Sequence, residues 1–236
     1  MILVAGGTGR LGTQVVELLL RRDLEVRVLS RDSSRASGLV RLGAEVVEGD
    51  VGDLAAVRRA VEGVQTVVSA IHGFSGPRGI SPATVDRDGN HNLVQAARDA
   101  GVEHVVLLSV EAAAPDHAMD LMRMKYAAEQ DLKASGMTWT IIQPTAYMET
   151  WCEVLGRPLL KTGLTNVFGR GQNPVNFVAA SDVARLVELA VVDPSLRGET
   201  IGASRDQGLF GLAPKPRSFA APTPNPSARL WMLRHR

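Results

Sequence analysis

Short unbroken apolar runs, separated by stretches with helical spacing, dominate the first 145 residues of the chain. Residues 1–5 form such a run and stop at Gly6-Gly7, the pattern of a strand buried on both faces of a parallel sheet. Apolar residues then recur at Leu11, Val15, Val16, Leu18 and Leu19, the spacing of one helix face. Arg21-Arg22 follows, where positive charge suits a helix C-terminus. The alternation continues, predicting strands over 24–29, 44–48, 64–70, 104–109 and 138–142, and helices over 54–61, about 83–100 and 118–135. Gly101 and Gly136 suit the ends of the last two helices, and Pro144 stops the sixth strand. Strands alternating with helices imply right-handed crossovers, so the expected fold class is α/β, a Rossmann-type doubly wound parallel sheet.

Beyond Pro144 the pattern loosens, with glycines and prolines breaking the chain before one clear helix over 181–192, which Ser181 or Asp182 can cap. Residues 145–201 are therefore expected to contribute a small substrate lobe to a domain spanning 1–201. From Gly202 the periodicity ends, and Pro214, Pro216, Pro222, Pro224 and Pro226 forbid a regular element. Residues 202–236 are expected to form a disordered, basic, Pro-rich tail.

Composition changes this picture little. Hydrophobic residues make up 45% of the 236 and charged ones 22%, a globular balance that supports one buried sheet. The net charge of +1 hides an asymmetry: residues 203–236 hold six Lys or Arg against one acid, so the remainder is mildly acidic. That body offers no field for nucleic acid, and the tail has only Trp231 as a strong stacking residue. No apolar run approaches the ~20 residues of a membrane span, and no charged leader precedes the first strand. Cys152 is the sole cysteine, which fits a reducing compartment; a cytoplasmic location is expected, with no membrane partner. His72, His91, His104, His117 and His235 are scattered without ligand spacing, so no metal site is expected.

The candidate chemistry begins at Gly6-Gly7-Thr8-Gly9-Arg10-Leu11-Gly12. Three glycines alone mean little, but here a strand immediately precedes them and a helix follows. Gly6 allows the tight turn, Gly9 lets the backbone approach a pyrophosphate, and Gly12 lets the helix pack close to the sheet. The amides of the helix start then face the phosphates. At the tip of the second strand stands Ser30-Arg31-Asp32, where an acid would read the 2′-hydroxyl of NAD and an arginine would clamp the 2′-phosphate of NADP. Arg31 favours NADP(H), with NAD less favoured and with Arg10 and Arg35 as further contacts; Asp32 argues the other way if it faces the ribose.

With these residues in place, the chain resembles the NmrA-like branch of the atypical short-chain dehydrogenase/reductases, which includes isoflavone-reductase-like and NADPH-dependent quinone-reductase-like enzymes. The glycine turn is similar to theirs, and the likeness covers about residues 1–201. Gly49-Asp50-Val51 with Asp53 resembles the segment whose aspartate contacts adenine in the family, which implies that Asp50 and Val51 line the cofactor. The run Asp86-Arg87-Asp88-Gly89-Asn90-His91-Asn92-Leu93 resembles the start of the family's long fourth helix. Lys125, in Met124-Lys125-Tyr126-Ala127-Ala128-Glu129, matches its active-site lysine. Ile141-Ile142-Gln143-Pro144 resembles the end of strand six, where the family usually carries arginine before proline. Asn176-Phe177-Val178 before Ser181-Asp182-Val183-Ala184 is similar to the family's final block. Two departures stand out: Leu121 occupies the position of the larger family's catalytic tyrosine, and the segment from Ala203 does not resemble the family's C-terminal strands and helix, as expected of a truncated or altered reading frame.

Strand ends supply the remaining candidates, because open α/β sheets bind ligands beyond the carboxyl ends of their strands. Ala70 and Ile71 follow strand four, Ser109 ends strand five, and Pro144 and Tyr147 follow strand six. The expected cofactor-binding set is Gly6, Thr8, Gly9, Arg10, Leu11, Gly12, Arg31, Asp50, Val51, Ala70, Ile71, Lys125 and Pro144. Lys125, Ser109 and Tyr147 are the catalytic candidates, Tyr147 as a replacement for the missing donor. Two functions are compatible with this set: an NADPH-dependent reductase of a small carbonyl, enone or quinone, and a non-catalytic NADP(H)-sensing regulator with a protein partner. The protein is expected to act as a monomer or homodimer.

Overall fold

The computed structural model describes residues 1–74, 79–165 and 175–204. Along the chain run β1 (Ile2–Ala5), α1 (Arg10–Leu20), β2 (Val26–Ser30), α2 (Ser37–Arg41), β3 (Glu45–Glu48), α3 (Leu54–Val61) and β4 (Thr66–Ser69). A π-helical stretch, Pro82–Gly89, leads directly into α4 (Asn90–Asp99), followed by β5 (His104–Leu108), α5 (Asp120–Ala134) and β6 (Thr138–Pro144). The chain continues through β7 (Ala146–Tyr147), α6 (Met148–Trp151), α7 (Arg157–Thr162), β8 (Phe177–Val178), α8 (Ala180–Val192) and β9 (Thr200–Ala203).

Seven strands form one parallel sheet in the order β3-β2-β1-β4-β5-β6-β9. The order reverses between β1 and β4, which opens a crevice at the carboxyl ends of those two strands. Side chains alternate between two cores, one on each face of the sheet. Ile2 and Val4 of β1, Val106 and Leu108 of β5 and Ile142 of β6 pack with α1 and α8; Leu3, Ala5, Val105, Leu107 and Ile141 pack with α3, α4 and α5. Burial on both faces explains why these strands read as continuous apolar runs.

The C-terminal third departs from the sequence expectation in three places. Only part of 145–201 stands apart from the sheet: β7 and β8 form a two-stranded ribbon with α6 and α7 between them, whereas α8 returns to the main body. Val183, Ala184, Val187 and Ala190 of α8 join the core that holds Val15, Val16 and Leu19 of α1. Neither Ser181 nor Asp182 caps α8; the carboxylate of Glu149, from α6, accepts from the Ala180 N–H at 3.0 Å and fills that role from outside the helix. Finally β9 pairs with β6, Ile141 opposite Thr200 and Pro144 opposite Ala203, so Gly202 and Ala203 belong to the sheet and not to a tail. The rest of the expected tail, 205–236, lies outside the described residues. Among the described residues no helix is long and apolar enough to cross a membrane.

Candidate functional site

The turn between β1 and α1 is built so that backbone packs on backbone. Gly6 has φ +82°, and a Cβ placed on it would lie 2.6 Å from the Ala70 carbonyl oxygen, so the turn rests directly on the chain leaving β4. A Cβ on Gly12 would lie 2.1 Å from the Gly6 oxygen. The Gly9 N–H donates to the Gly6 carbonyl, closing the turn, and no side chain caps the first turn of α1. The first amides of α1 stand at the carboxyl end of β1 with no side chain capping them, so a dinucleotide pyrophosphate fits here. Arg10 leaves this turn to pair with Glu153 at 2.5 Å, linking it to the segment between α6 and α7; Arg157 flanks the same carboxylate at 3.6 Å. Thr8 accepts from the Arg35 guanidinium at 3.4 Å through its carbonyl, and Leu11 packs against the α1–α8 core.

The tip of β2 lies beside the tip of β3. Arg31 is exposed, with Nε 3.9 Å from Asp50 Oδ2, and Asp50 also accepts from the Gly52 N–H at 2.7 Å. The Asp32 carboxylate accepts from both the hydroxyl and the N–H of Ser34 through one oxygen, which holds it below the ordinary carboxylate range. Val51 sits under the π-helical stretch, its carbonyl accepting from Asn92 and its side chain within 2.7 Å of a Cβ built on Gly89. Two basic side chains, Arg31 and Arg35, thus flank the crevice on the side remote from β5.

At the other side the side chains are buried and mutually engaged. Lys125 is 4% exposed; its ammonium donates to the Ile71 carbonyl at 2.9 Å and the Leu108 carbonyl at 2.8 Å, and it pairs with Asp86 Oδ1 at 3.0 Å. Asp86, fully buried in the π-helical stretch, accepts from the Gly73 N–H through its other oxygen at 2.8 Å. Asn90, one turn on, donates to the Asp86 carbonyl and accepts from the Ser69 hydroxyl. Lys125 is thus no exposed helix lysine; it ties the ends of β4 and β5 to the helical layer. Ser109 is likewise buried, donating its hydroxyl to Glu129, which also accepts from Gln143 at 2.8 Å. Pro144 accepts from the Glu111 N–H, holding the ends of β5 and β6 together. Tyr147 lies in β7 against the α1–α8 core; burial, then the Glu149 carboxylate, push its phenol well above the ordinary tyrosine value, which makes it a weak acid.

Sequence reasoning missed Asp86, Asn90, Glu129 and Gln143 as members of this network. Lys125 and Glu129 carried a signal, being one turn apart on one helix, but that spacing equally describes a solvated pair.

An NAD(P)H-binding family model matches residues 6–194. The chain belongs to this family. The family expected from the glycine turn and the strand-end motifs therefore holds, as does the α/β fold. Among its relatives, the NAD(P)H azoreductase of Xenophilus azovorans is 29% identical over 212 residues, covering 89% of this chain and 70% of that protein. The (4-alkanoyl-5-oxo-2,5-dihydrofuran-3-yl)methyl phosphate reductase of Streptomyces griseus is 31% identical over 214 residues, with coverage of 89% and 69%. Triphenylmethane reductase from Citrobacter sp., solved with NADP(H), has the same fold with a TM-score of 0.74 at 24% identity, over 87% of this chain and 70% of that one. The chain spans 46% to 70% of the length of the curated relatives it matches.

Proposed function

We propose that this NAD(P)H-binding chain is an NADPH-dependent reductase of a small carbonyl, enone or quinone. The observation that carries the reading is the glycine turn, closed on itself and seated on Ala70, at the point where the strand order reverses. The backbone of Gly6, Thr8, Gly9, Arg10, Leu11 and Gly12 holds the pyrophosphate. Arg31 and Arg35 take the 2′-phosphate; one oxygen of Asp32, the carboxylate that would favour NAD, is engaged by Ser34. Asp50 and Val51 border the adenine, while Ala70, Ile71 and Pro144 line the nicotinamide end. When bound, the reduced nicotinamide supplies a hydride, so the protein's task is orientation and the handling of charge. Lys125 holds the ends of β4 and β5 at a fixed separation under that ring. Ser109, engaged with Glu129, helps shape the same wall, and Tyr147 contributes its ring and not its proton.

The test is a fluorescence titration with NADPH and with NADH, followed by menadione in the same cuvette. Charge-assisted contacts to the 2′-phosphate predict NADPH binding about 10- to 100-fold tighter than NADH, followed by oxidation once quinone is added. Equal affinity would remove Arg31 and Arg35 from the phosphate. Binding without oxidation, across a panel of quinones and carbonyls, would replace the reductase with a cofactor-sensing regulator.

A further inference from the structure

Reduction of a carbonyl or quinone builds negative charge on oxygen, and the groups considered so far offer that oxygen no donor. Position 121 is leucine, Tyr147 is a weakened acid, and the buried Lys125 ammonium is already engaged by two carbonyls and a carboxylate. His72 is differently placed. It lies three residues beyond β4, on the chain segment against which the Gly6 turn packs, beside the crevice between β1 and β4. Both of its chain neighbours are immobilised by one buried ion pair: Lys125 Nζ donates to the Ile71 carbonyl, and Asp86 Oδ2 accepts from the Gly73 N–H. Gly73 is also packed without clearance, since a Cβ there would stand 2.2 Å from the Ser81 carbonyl oxygen. Between these two clamped peptides His72 is accessible at the surface though its ring is partly desolvated, and no hydrogen bond holds it among the described residues. A rigid backbone carrying an uncommitted polar side chain beside a ligand crevice is the arrangement of a donor waiting for its acceptor.

We propose that His72 is a catalytic residue whose neutral imidazole N–H donates to the substrate oxygen, with Lys125 and Asp86 as the positioning residues that present it. This rests on the reductase reading above. The substrate's electrophilic carbon accepts a hydride from the dihydronicotinamide, which is oxidised to the nicotinamide cation; the π pair of the reduced bond moves onto oxygen, where the His72 N–H meets it, and water delivers the final proton. Two charges face the ring from the packed elements, Lys125 on α5 and Asp86 on the π-helical stretch. Partial desolvation and then the Lys125 ammonium hold the imidazole below its ordinary value, while Asp86 pulls it upward, so the ring is uncharged at neutral pH.

The experiment compares wild type with His72→Ala and His72→Gln. It measures the melting temperature, the NADPH dissociation constant, kcat and KM for menadione, and the imidazole ¹H–¹⁵N spectrum of the NADP⁺ complex titrated with menadione. Removing one transition-state donor predicts a kcat lower by about 100-fold in His72→Ala, with KM, cofactor affinity and melting temperature close to wild type. His72→Gln, which keeps a neutral N–H donor, should recover part of the loss, and the His72 ring signal should shift when menadione binds. Unchanged kcat in His72→Ala, or an unmoved ring signal, overturns the His72 assignment and leaves the reductase standing. A wild type that never oxidises NADPH overturns both.

Discussion

Replacing Lys125 with methionine keeps the unbranched stem of the side chain, one atom shorter, and removes its charge. The carboxylate of Asp86, fully buried, would then face no cation, and the carbonyls of Ile71 and Leu108 would each lose a donor. Breaking a buried pair from one side costs about 3–5 kcal/mol, because the remaining charge stays desolvated. Each orphaned carbonyl adds about 1 kcal/mol, which places Lys125→Met at or above the upper end of that range. Set against a total stability of roughly 5–15 kcal/mol, this is a large share, and for a chain of this size it lowers the melting midpoint by roughly 10 °C or more. A thermal melt followed by circular dichroism, in parallel with urea unfolding, reads the effect directly. Adding Asp86→Leu to Lys125→Met should restore part of the loss, since the uncompensated charge is then gone. A single-variant melt within about 2 °C of wild type would refute the clamp and return Lys125 to the list of groups free to meet a ligand. The same reasoning makes Lys125→Ala a poor probe of catalysis, because lost activity would report lost structure.

Four further outcomes follow from the geometry. Gly12→Ala forces a methyl to within 2.1 Å of a backbone oxygen that cannot swing away, so NADPH affinity should fall about 10-fold or more and the midpoint should drop, measured by the same titration and melt. Arg31→Ala with Arg35→Ala should weaken NADPH about 10- to 100-fold while leaving NADH within about 2-fold, and a parallel loss of both cofactors would contradict the 2′-phosphate role. His104 is fully buried, with burial and then Arg197 bringing its imidazole down to about 4; it is neutral when folded, whereas the unfolded chain takes up the proton below about 6.5. Its contribution is therefore complete above pH 6.5 and is lost on acidification towards pH 4, at most about 3 kcal/mol, which urea unfolding of wild type and His104→Leu across that range should isolate as a difference in slope. The Arg10–Glu153 pair is half exposed on both sides, so Glu153→Ala should change stability by under about 1 kcal/mol, seen as a nearly unmoved melt.

Legibility in the sequence followed the range of the interactions. The helix over 54–61 was readable to the residue, because its apolar face, its Asp53 cap and its flanking turns are all local. The glycine turn was readable for the same reason: φ at Gly6 and the clearance at Gly12 are settled within seven residues. β9 was not, since Thr-Ile-Gly-Ala has no period of its own and becomes a strand only by pairing with β6 about 60 positions earlier. The Glu149 cap on α8 was invisible for the same reason, while Ser181 and Asp182, which local rules favour, lie just inside the helix. At the site, the family resemblance located Lys125, but the partners that determine its behaviour, Ile71, Asp86 and Leu108, come from three separate segments.

The short helices α6 and α7 have an unusual attachment. The chain leaves at Tyr147 and returns at Phe177, which are neighbours in a two-residue ribbon, so the segment is anchored at one place. The entropy of closing such a loop grows only with the logarithm of its length, about 0.6 kcal/mol for each doubling. Segments of different size and sequence can therefore be exchanged between Glu149 and Phe177 while the seven-stranded register and the packing of α8 stay intact. The fold thus joins a glycine turn that admits no methyl to a segment whose length the sheet barely constrains.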